Sequence, residues 1–382
     1  MRVASYDPRY RDELLGFLRR VLAGYPYKAD PAYFDWMFAG NPLGPSLDTY
    51  ALLLADDGTI IGQIGTMRDR LRIDGQWVDA LWIVDLVIDE AFRGGLGARQ
   101  LFKRAMGSAR IVMATGVASR ILPIYRSLGW QCLTPVRARY HVLRPGRLLA
   151  LASTTDTPPE MSRATRLALA GADRVMPLAA RARTGVQRVV GGPRRVEIVA
   201  RLDAFFDDDI ARIVEACGIT EYRSAALLNW KFVERPVGKH RVLALRSDSG
   251  RLRGLMVLKW MERPSITRWL EIADYLVHPD DAAAFRMLVR QAESTAAADR
   301  LDFVRFRLAH PAHVALLRPP TWVDHTRPSV DDVFVFTKEP TLLSAVTSSP
   351  WHLTSLASDR NETGRDEWPA PPTAVAAPLF PQ

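Results

Sequence analysis

The sequence predicts a mixed α/β protein that contains two copies of one domain. Three observations support this fold class: strand and helix patterns alternate, a glycine-rich turn follows a long apolar strand, and an internal repeat spans much of the chain. The chain has 382 residues, 48% of them hydrophobic, which is enough for two domains with buried cores.

Apolar periodicity and turn residues define the elements of the first domain. A short strand at 2–5 precedes apolar residues at helical spacing, which predict a helix over 10–22. Asp30-Pro31 is typical of a helix start, and Asp56-Asp57-Gly58 between two apolar runs predicts a hairpin. The same patterns predict the remaining elements in the order β-β-β-α-β-α-β, at 50–55, 59–71, 78–89, 98–106, 111–116, 121–128 and 138–143.

A repeat with a constant offset of 194 residues relates the beginning of the chain to its second half. Three residues recur with this spacing: Trp36 as Trp230, Pro42 as Pro236, and Gly44 as Gly238. A further match joins Ile83-Val84-Asp85 to Ile272-Ala273-Asp274. We therefore predict a second, degenerate copy of the first domain.

The repeat and the composition divide the chain into four segments. We expect residues 1–145 to form the first domain, 146–195 an Arg-rich helical linker, 196–340 the degenerate copy and 341–382 a largely flexible C-terminal tail. Eight arginines and one acid lie between 163 and 195. This run is either a solvated helix face or a contact for an acidic surface, a carrier protein or anionic lipid.

The glycine-rich turn follows the third long strand of the first domain, at Gly94, Gly95 and Gly97. Main-chain N–H groups can converge on a pyrophosphate only where side chains leave the approach open, so glycines at a strand-to-helix turn predict an anion site. Arg93 adds a positive charge, and the dipole of the helix that begins near Ala98 favours an anion at the same place. The second copy has Asp281 and alanines at this point, which predicts that it does not bind phosphate.

Residues 3–143 resemble the GNAT (N-acetyltransferase) superfamily, and residues 196–338 resemble it faintly. The strand and turn from Val87 to Gly97 are similar to the family's central strand and CoA loop, although Phe92 stands where the family usually has Arg or Gln. The resemblance implies two GNAT-like domains in tandem and a site for acetyl-CoA. It implies that these residues bind the donor: Val87, Ile88, Phe92, Arg93, Gly94, Gly95, Gly97, Ala98 and Ser119.

The sequence Tyr125-Arg126-Ser127-Leu128-Gly129-Trp130 resembles the family's second landmark. The resemblance implies that Tyr125 donates a proton to the departing CoA thiolate. Amine acylation also needs a base, for which Asp85 is the candidate, with Glu90 as a weaker one. Each has a structural alternative: a packing tyrosine at 125, a hydrogen-bonding Asp85, and a helix cap at Ser119.

These residues predict an N-acetyltransferase that transfers the acetyl group of acetyl-CoA directly to a primary amine. An aminosugar is one candidate acceptor. Two alternatives stay open: a Fem-type aminoacyl or peptidyl transferase, and a non-catalytic acyl-CoA-binding scaffold, for which Phe92 is the best support.

Charge, cysteine and histidine usage limit the other classes. The formal charge of +9 lies largely in the arginine run, without interleaved aromatic residues, so we expect no nucleic-acid partner. No apolar stretch is long enough to span a membrane, and we expect a cytoplasmic protein. The two cysteines have no partner spacing, and His310 and His313 lack an acidic third ligand, so we expect no metal.

Overall fold

The computed structural model describes residues 1–117, 121–133, 136–146, 167–176, 196–238, 240–263, 267–324 and 332–354. It confirms the predicted α/β fold class. Two mixed β-sheets form the centre of the molecule, and helices pack on their faces.

The first sheet is built around two long antiparallel strands. In spatial order its main path is β1 (Arg2–Ser5), β2 (Ala51–Leu54), β3 (Ile60–Ile73), β4 (Gln76–Ile88), β5 (Ile111–Thr115), β15 (Val333–Phe336) and β6 (Gln131–Cys132). Two short strands extend it beside β3: β9 (Ile219–Glu221) and β16 (Trp351–His352).

The second sheet repeats this arrangement strand by strand. Its spatial order is β8 (Val196–Val199), β10 (His240–Arg246), β11 (Leu252–Arg263), β12 (Thr267–Val277), β13 (Phe303–Leu308), β7 (Arg137–Val142) and β14 (Val323–Asp324). In the first sheet β4 is parallel to β5 and antiparallel to β3. In the second sheet β12 is likewise parallel to β13 and antiparallel to β11.

The two sheets exchange one strand each. Strand β7 follows β6 in the chain but pairs with β13 of the second sheet, and β15 returns from the second half to lie between β5 and β6. The domain boundaries predicted at 145 and 340 therefore do not separate the two sheets. Strand β7 lies before residue 145 but belongs to the second sheet, and β15 lies before residue 340 but belongs to the first. Alternation of apolar residues indicates that a strand is buried but not which sheet buries it.

Side-chain caps satisfy the first N–H groups of some of the helices. Asp30 caps the helix at Pro31–Phe38 by accepting from Ala32 and Tyr33, and Ser224 caps the equivalent helix at Ala225–Leu228. The described helices are α1 (Arg11–Val21), α2 (Pro31–Phe38), α3 (Gly97–Met106), α4 (Leu122–Ser127), α5 (167–176), α6 (Asp207–Ala216), α7 (Ala225–Leu228), α8 (Ala282–Ala298), α9 (Pro311–Val314) and α10 (Pro340–Ser348). No helix among the described residues combines the length and apolar character of a membrane span.

The residues of the predicted linker and tail lie partly outside the described structure. Residues 167–176 are helical, and most of the arginine run lies outside the described residues. The structure differs from the predicted flexible tail at residues 341–354. These residues contribute to α10 and β16, in which Val346 and Trp351 are buried in the hydrophobic core of the first sheet. Only 355–382 of that tail lies outside the described residues.

Trp36 and Trp230, the pair that defines the repeat, meet between the two halves. Their rings stack with centroids 5.0 Å apart, and each indole N–H donates to the main-chain carbonyl of the other residue, at 2.9 and 3.0 Å. Reciprocal contacts between equivalent residues are what a two-fold axis produces. The two tryptophans therefore lie on an internal pseudo-two-fold axis.

Trp36→Ala is expected to lower the free energy of unfolding by about 3–5 kcal/mol, because it removes a stacked ring and leaves the carbonyl of Trp230 without its donor. Urea unfolding followed by circular dichroism measures the change. Trp36→Phe keeps a ring at the interface and should cost less than half as much. Equal losses for both substitutions would contradict the role given to the stacked ring, because phenylalanine keeps a ring but lacks the indole N–H.

Three histidines form a buried cluster around Tyr275 in the second half. His313 Nδ1 lies 3.0 Å from the Tyr275 hydroxyl, the His352 ring lies tilted with its centroid 4.5 Å from that of Tyr275, and His310 lies beside His313. Burial lowers the pKa of His310, lowers that of His313 to about 3, and lowers that of His352 well below its usual value, with the charge of Arg223 acting in the same direction on His352. The cluster is therefore neutral at pH 7.

Acid should destabilise the protein through this cluster. A histidine whose pKa is lowered in the folded state contributes fully to the free energy of unfolding at a pH above its unfolded-state pKa, which is near 6.5. Below that pH, the free energy of unfolding falls by about 1.4 kcal/mol per pH unit for each such histidine. Asp69 and Glu221, whose pKa values burial raises, act in the opposite direction on acidification. The test is therefore the difference between wild type and His352→Phe in urea unfolding from pH 7.5 to 5.0. The variant should lose less stability on acidification, and parallel profiles would contradict the prediction.

Candidate functional site

Strands β4 and β5 of the first sheet diverge and leave one edge of β4 open. They pair only from Ala80 with Ile111 to Trp82 with Met113. Strand β4 continues to Ile88 with β3 alone beside it, and its last residues, including Val87 and Ile88, are half-buried. The main chain of this segment is therefore available to a ligand that lies along its free edge.

The glycine-rich turn follows this open edge. A short 3₁₀ turn, Glu90–Phe92, is capped by Asp89, and Gly94 takes a φ of +89°, which favours glycine. The Phe92 side chain is 39% exposed, so it does not fill the turn. The departure from the family pattern at this position thus leaves the turn accessible.

The first turn of α3 presents unpaired N–H groups. Its N-cap, Leu96, offers no side-chain acceptor, and the first turn contains no acid. Among the described residues, none accepts a hydrogen bond from the main-chain N–H groups of residues 94–99. Six such donors beside a helix N-terminus form a site that attracts a phosphate or pyrophosphate.

The other residues of the turn that are predicted to bind the donor determine from which side a ligand can reach it. A Cβ at Gly97 would lie 2.5 Å from a Leu53 methyl, so glycine lets α3 start close to β2. At Gly95 the nearest atoms are 4.0 Å away, which leaves that side of the turn open. Arg93 donates to the carbonyl of Ile88 at 3.1 Å, and Ala98 is half-buried in the first turn. Arg93 is thereby held at the junction of strand and turn.

The equivalent place in the second sheet is already occupied by a carboxylate. Asp281 caps α8 by accepting from Ala284 at 3.0 Å, and Arg253 holds it with two bonds of 2.7 and 2.9 Å. The carboxylate supplies the negative charge that the start of α3 lacks. The divergence of β12 and β13 is also filled, because Thr354 bridges Leu308 and donates to Asp274 at 2.9 Å. In the part of the chain that the structure describes, the first sheet combines an open edge with a free helix start and the second sheet does not.

Tyr125 lies on α4 within an aromatic cluster. Its ring is 4% exposed and contacts Phe102, Trp130 and Phe334, the last of which comes from the exchanged strand β15. Burial raises the pKa of the Tyr125 phenol above its usual value, so it stays protonated at neutral pH. That is the form required of a proton donor, while the surrounding rings equally suit a packing role. Ser119 lies outside the described residues.

Asp85 lies at a β-bulge on the open strand. Opposite the single residue Ile64 of β3, strand β4 has two residues, Asp85 and Leu86, and Asp85 takes a left-handed φ of +54°. Its carboxylate forms an ion pair with Lys28, which is only 3% exposed, and Gln63 donates to its main-chain carbonyl at 2.5 Å. Lys28 and Gln63 could not be identified from the sequence, because neither periodicity nor a motif marks a buried cation in a turn or the polar partner of a bulge.

A pair of buried acids lies near Trp82 within the first sheet. Asp69 and Glu221 each accept from the Trp82 indole N–H at 3.0 Å, and burial raises the pKa of both carboxyls. Arg223 lies 3.6 Å from Glu221. The two acids are 152 residues apart in the chain, so only the fold brings them together. Among the described residues, no group of three His, Cys, Asp or Glu side chains is arranged to hold a metal ion.

Comparison with known proteins identifies the fold. No protein-family model and no curated protein sequence matches the chain. A GCN5-related N-acetyltransferase from Anabaena variabilis matches with a TM-score of 0.58 and 12% identity, over 87% of this chain and 72% of that one. A probable N-acyltransferase from Enterococcus faecalis matches with 0.57 and 12%, over 88% and 72%.

An N-myristoyltransferase from Saccharomyces cerevisiae, solved with bound myristoyl-CoA, matches with a TM-score of 0.53 and 11% identity, over 88% of this chain and 78% of that one. At these identities the comparisons establish the fold. The chain therefore has the fold of the GCN5-related N-acetyltransferases.

Proposed function

We propose that the protein is an acyl-CoA-dependent N-acyltransferase, which transfers an acetyl group from acetyl-CoA to a primary amine. The observation that carries the proposal is the free start of α3 directly beside the open edge of β4. An acyl-CoA needs both features, because its pyrophosphate is an anion and its pantetheine arm carries amides that pair with an extended main chain.

Binding places the donor along the edge and the turn. The N–H groups of residues 94–99 and the charge of Arg93 hold the pyrophosphate, and the main chain at Val87 and Ile88 aligns the pantetheine arm. The thioester then lies near the divergence of β4 and β5. Holding it beside an acceptor amine supplies much of the rate enhancement.

The transfer proceeds by direct attack. The neutral amine nitrogen forms a bond to the thioester carbonyl carbon, the carbon–sulfur bond breaks, and the CoA thiolate leaves. Tyr125 protonates the thiolate, and the proton lost by the amine passes to a base or to solvent. The second sheet, whose helix start is neutralised by Asp281, binds no donor. The second half of the chain helps to form the first site by contributing β15 to the first sheet.

The deep burial of Tyr125 favours a second candidate, an acyl-CoA-binding protein without turnover. Calorimetric titration with acetyl-CoA, together with thiol release in the presence of an amine panel that includes aminosugars, separates the two. The transferase requires one binding site per chain and amine-dependent thiol release. Binding without release supports the scaffold, and no binding excludes both. Replacing acetyl-CoA with longer acyl-CoAs, up to myristoyl-CoA, determines the acyl preference.

A further inference from the structure

The bulge at Asp85 is strained, and several residues hold it in place. A φ of +54° is unfavourable for aspartate, and such conformations persist only where the surrounding structure enforces them. Here the enforcing contacts are the buried ion pair with Lys28 and the bond from Gln63 to the main-chain carbonyl. Gly65 on the facing strand is also required, because a Cβ there would lie 3.0 Å from both the carbonyl of Val84 and the ring of Phe38.

The bulge lies on the part of β4 that has no partner at its free edge. Pairing with β5 ends at Trp82, and the bulge follows three residues later. An extra residue in a strand changes which main-chain N–H groups point to each side. The bulge therefore sets the direction of the N–H groups that meet a thioester bound along this edge.

The second half provides an internal comparison. Strand β12 also has a bulge beside Asp274, and Asp274 pairs with a buried cation, Arg223, at 2.8 Å. Asp274 is not among the residues with a positive φ, and its edge is covered by Thr354. A cation and an aspartate at the bulge are thus common to both halves, whereas the strained backbone occurs only where the edge is open.

We propose that the Lys28–Asp85 ion pair is a positioning device for the transferase reaction, an inference that rests on the proposed function. It holds the bulge so that main-chain N–H groups of β4 polarise the thioester carbonyl. Asp85 acts through the backbone and does not accept the proton of the amine. Lys28 and Asp85 are positioning residues in this scheme.

The test uses the full-length protein with Lys28→Met, Lys28→Arg and Asp85→Asn. Asparagine tolerates a left-handed φ, so Asp85→Asn removes the charge with little change in backbone preference. We expect Lys28→Met and Asp85→Asn to lower kcat by about 10- to 100-fold, the size of effect that a small misplacement of reacting groups produces. The Kd of acetyl-CoA should change less than about twofold, since the phosphate contacts lie elsewhere, and Lys28→Arg should restore most of the activity.

Two readouts separate positioning from proton transfer and from stability. The acid limb of the kcat/KM profile should survive in Asp85→Asn, whereas its loss would make Asp85 the general base and overturn the inference. The carbonyl ¹³C signal of bound [1-¹³C]acetyl-CoA should lie downfield in wild type and move back toward the free position in Lys28→Met. This measurement needs no acceptor.

Asp274→Asn is the matched control, because it weakens the equivalent ion pair in the half that binds no donor. It should lower the stability and leave kcat per folded molecule unchanged. Full activity and an unchanged ¹³C shift in Lys28→Met would overturn this inference alone. Failure of wild-type protein to bind acetyl-CoA would overturn the proposed function, and the inference with it.

Discussion

Gly95→Asp is expected to raise the Kd of acetyl-CoA by about 100-fold, equivalent to about 2.7 kcal/mol. The substitution places a carboxylate at the free start of α3, where it repels the pyrophosphate and competes for the same N–H groups. The fold should tolerate it, because the nearest atoms to a Cβ at this position are 4.0 Å away. Isothermal titration calorimetry measures the loss.

Two variants control for this result. Gly95→Ala adds the Cβ without the charge and should bind acetyl-CoA within about twofold of wild type. Ala283→Asp adds a carboxylate at the exposed start of α8 in the second half, where Asp281 already caps the helix, and should have no effect on binding. Equal losses for Gly95→Asp and Ala283→Asp would contradict the assignment of the donor site to the first sheet.

Val335→Asp is expected to unfold the first sheet although it lies in the second half of the sequence. Val335 is fully buried in β15, where it pairs with Met113 of β5. A charge there lacks a partner and should cost more than about 4 kcal/mol, a large part of the stability of an ordinary domain. Hydrogen exchange measured by mass spectrometry should show loss of protection in residues 76–115.

Val323→Asp provides the control, since the same substitution is made at a valine that is 39% exposed on β14. It should leave protection unchanged in both sheets. Protection retained in β4 and β5 of Val335→Asp would show that the exchanged strand is dispensable for the first sheet.

The exchange of strands also predicts that residues 1–145 expressed alone do not fold, because they lack the strand between β5 and β6.

Local patterns predicted most elements of the first sheet within two residues. The helix at Gly97–Met106 and the strand at Ile111–Thr115 are visible as apolar periodicity, and Asp30-Pro31 marks a helix start that the structure confirms. The glycine turn was also visible, because glycine is required for reasons of backbone geometry that act within a few residues. These features depend on neighbours in the sequence.

Local sequence patterns did not indicate which residues contact the site residues in the folded protein. Lys28 lies in a turn 57 residues before Asp85, and its burial depends on the packing of α2 against the first sheet. The sequence left two roles open for Asp85, a base or a hydrogen-bonding residue, and did not indicate the cation that the fold pairs with it. Tyr125 was found by motif, but its contact with Phe334 joins residues from opposite halves of the chain.

The sequence by itself determined the fold class, the internal repeat and the place of the glycine turn, because each follows from local conformational preference or from direct comparison of two segments. Only the tertiary structure decided which strands share a sheet, which helix start stays free and which charges are buried together. These outcomes depend on contacts between residues far apart in the chain, whose free energy comes from burying surface and pairing charges in three dimensions.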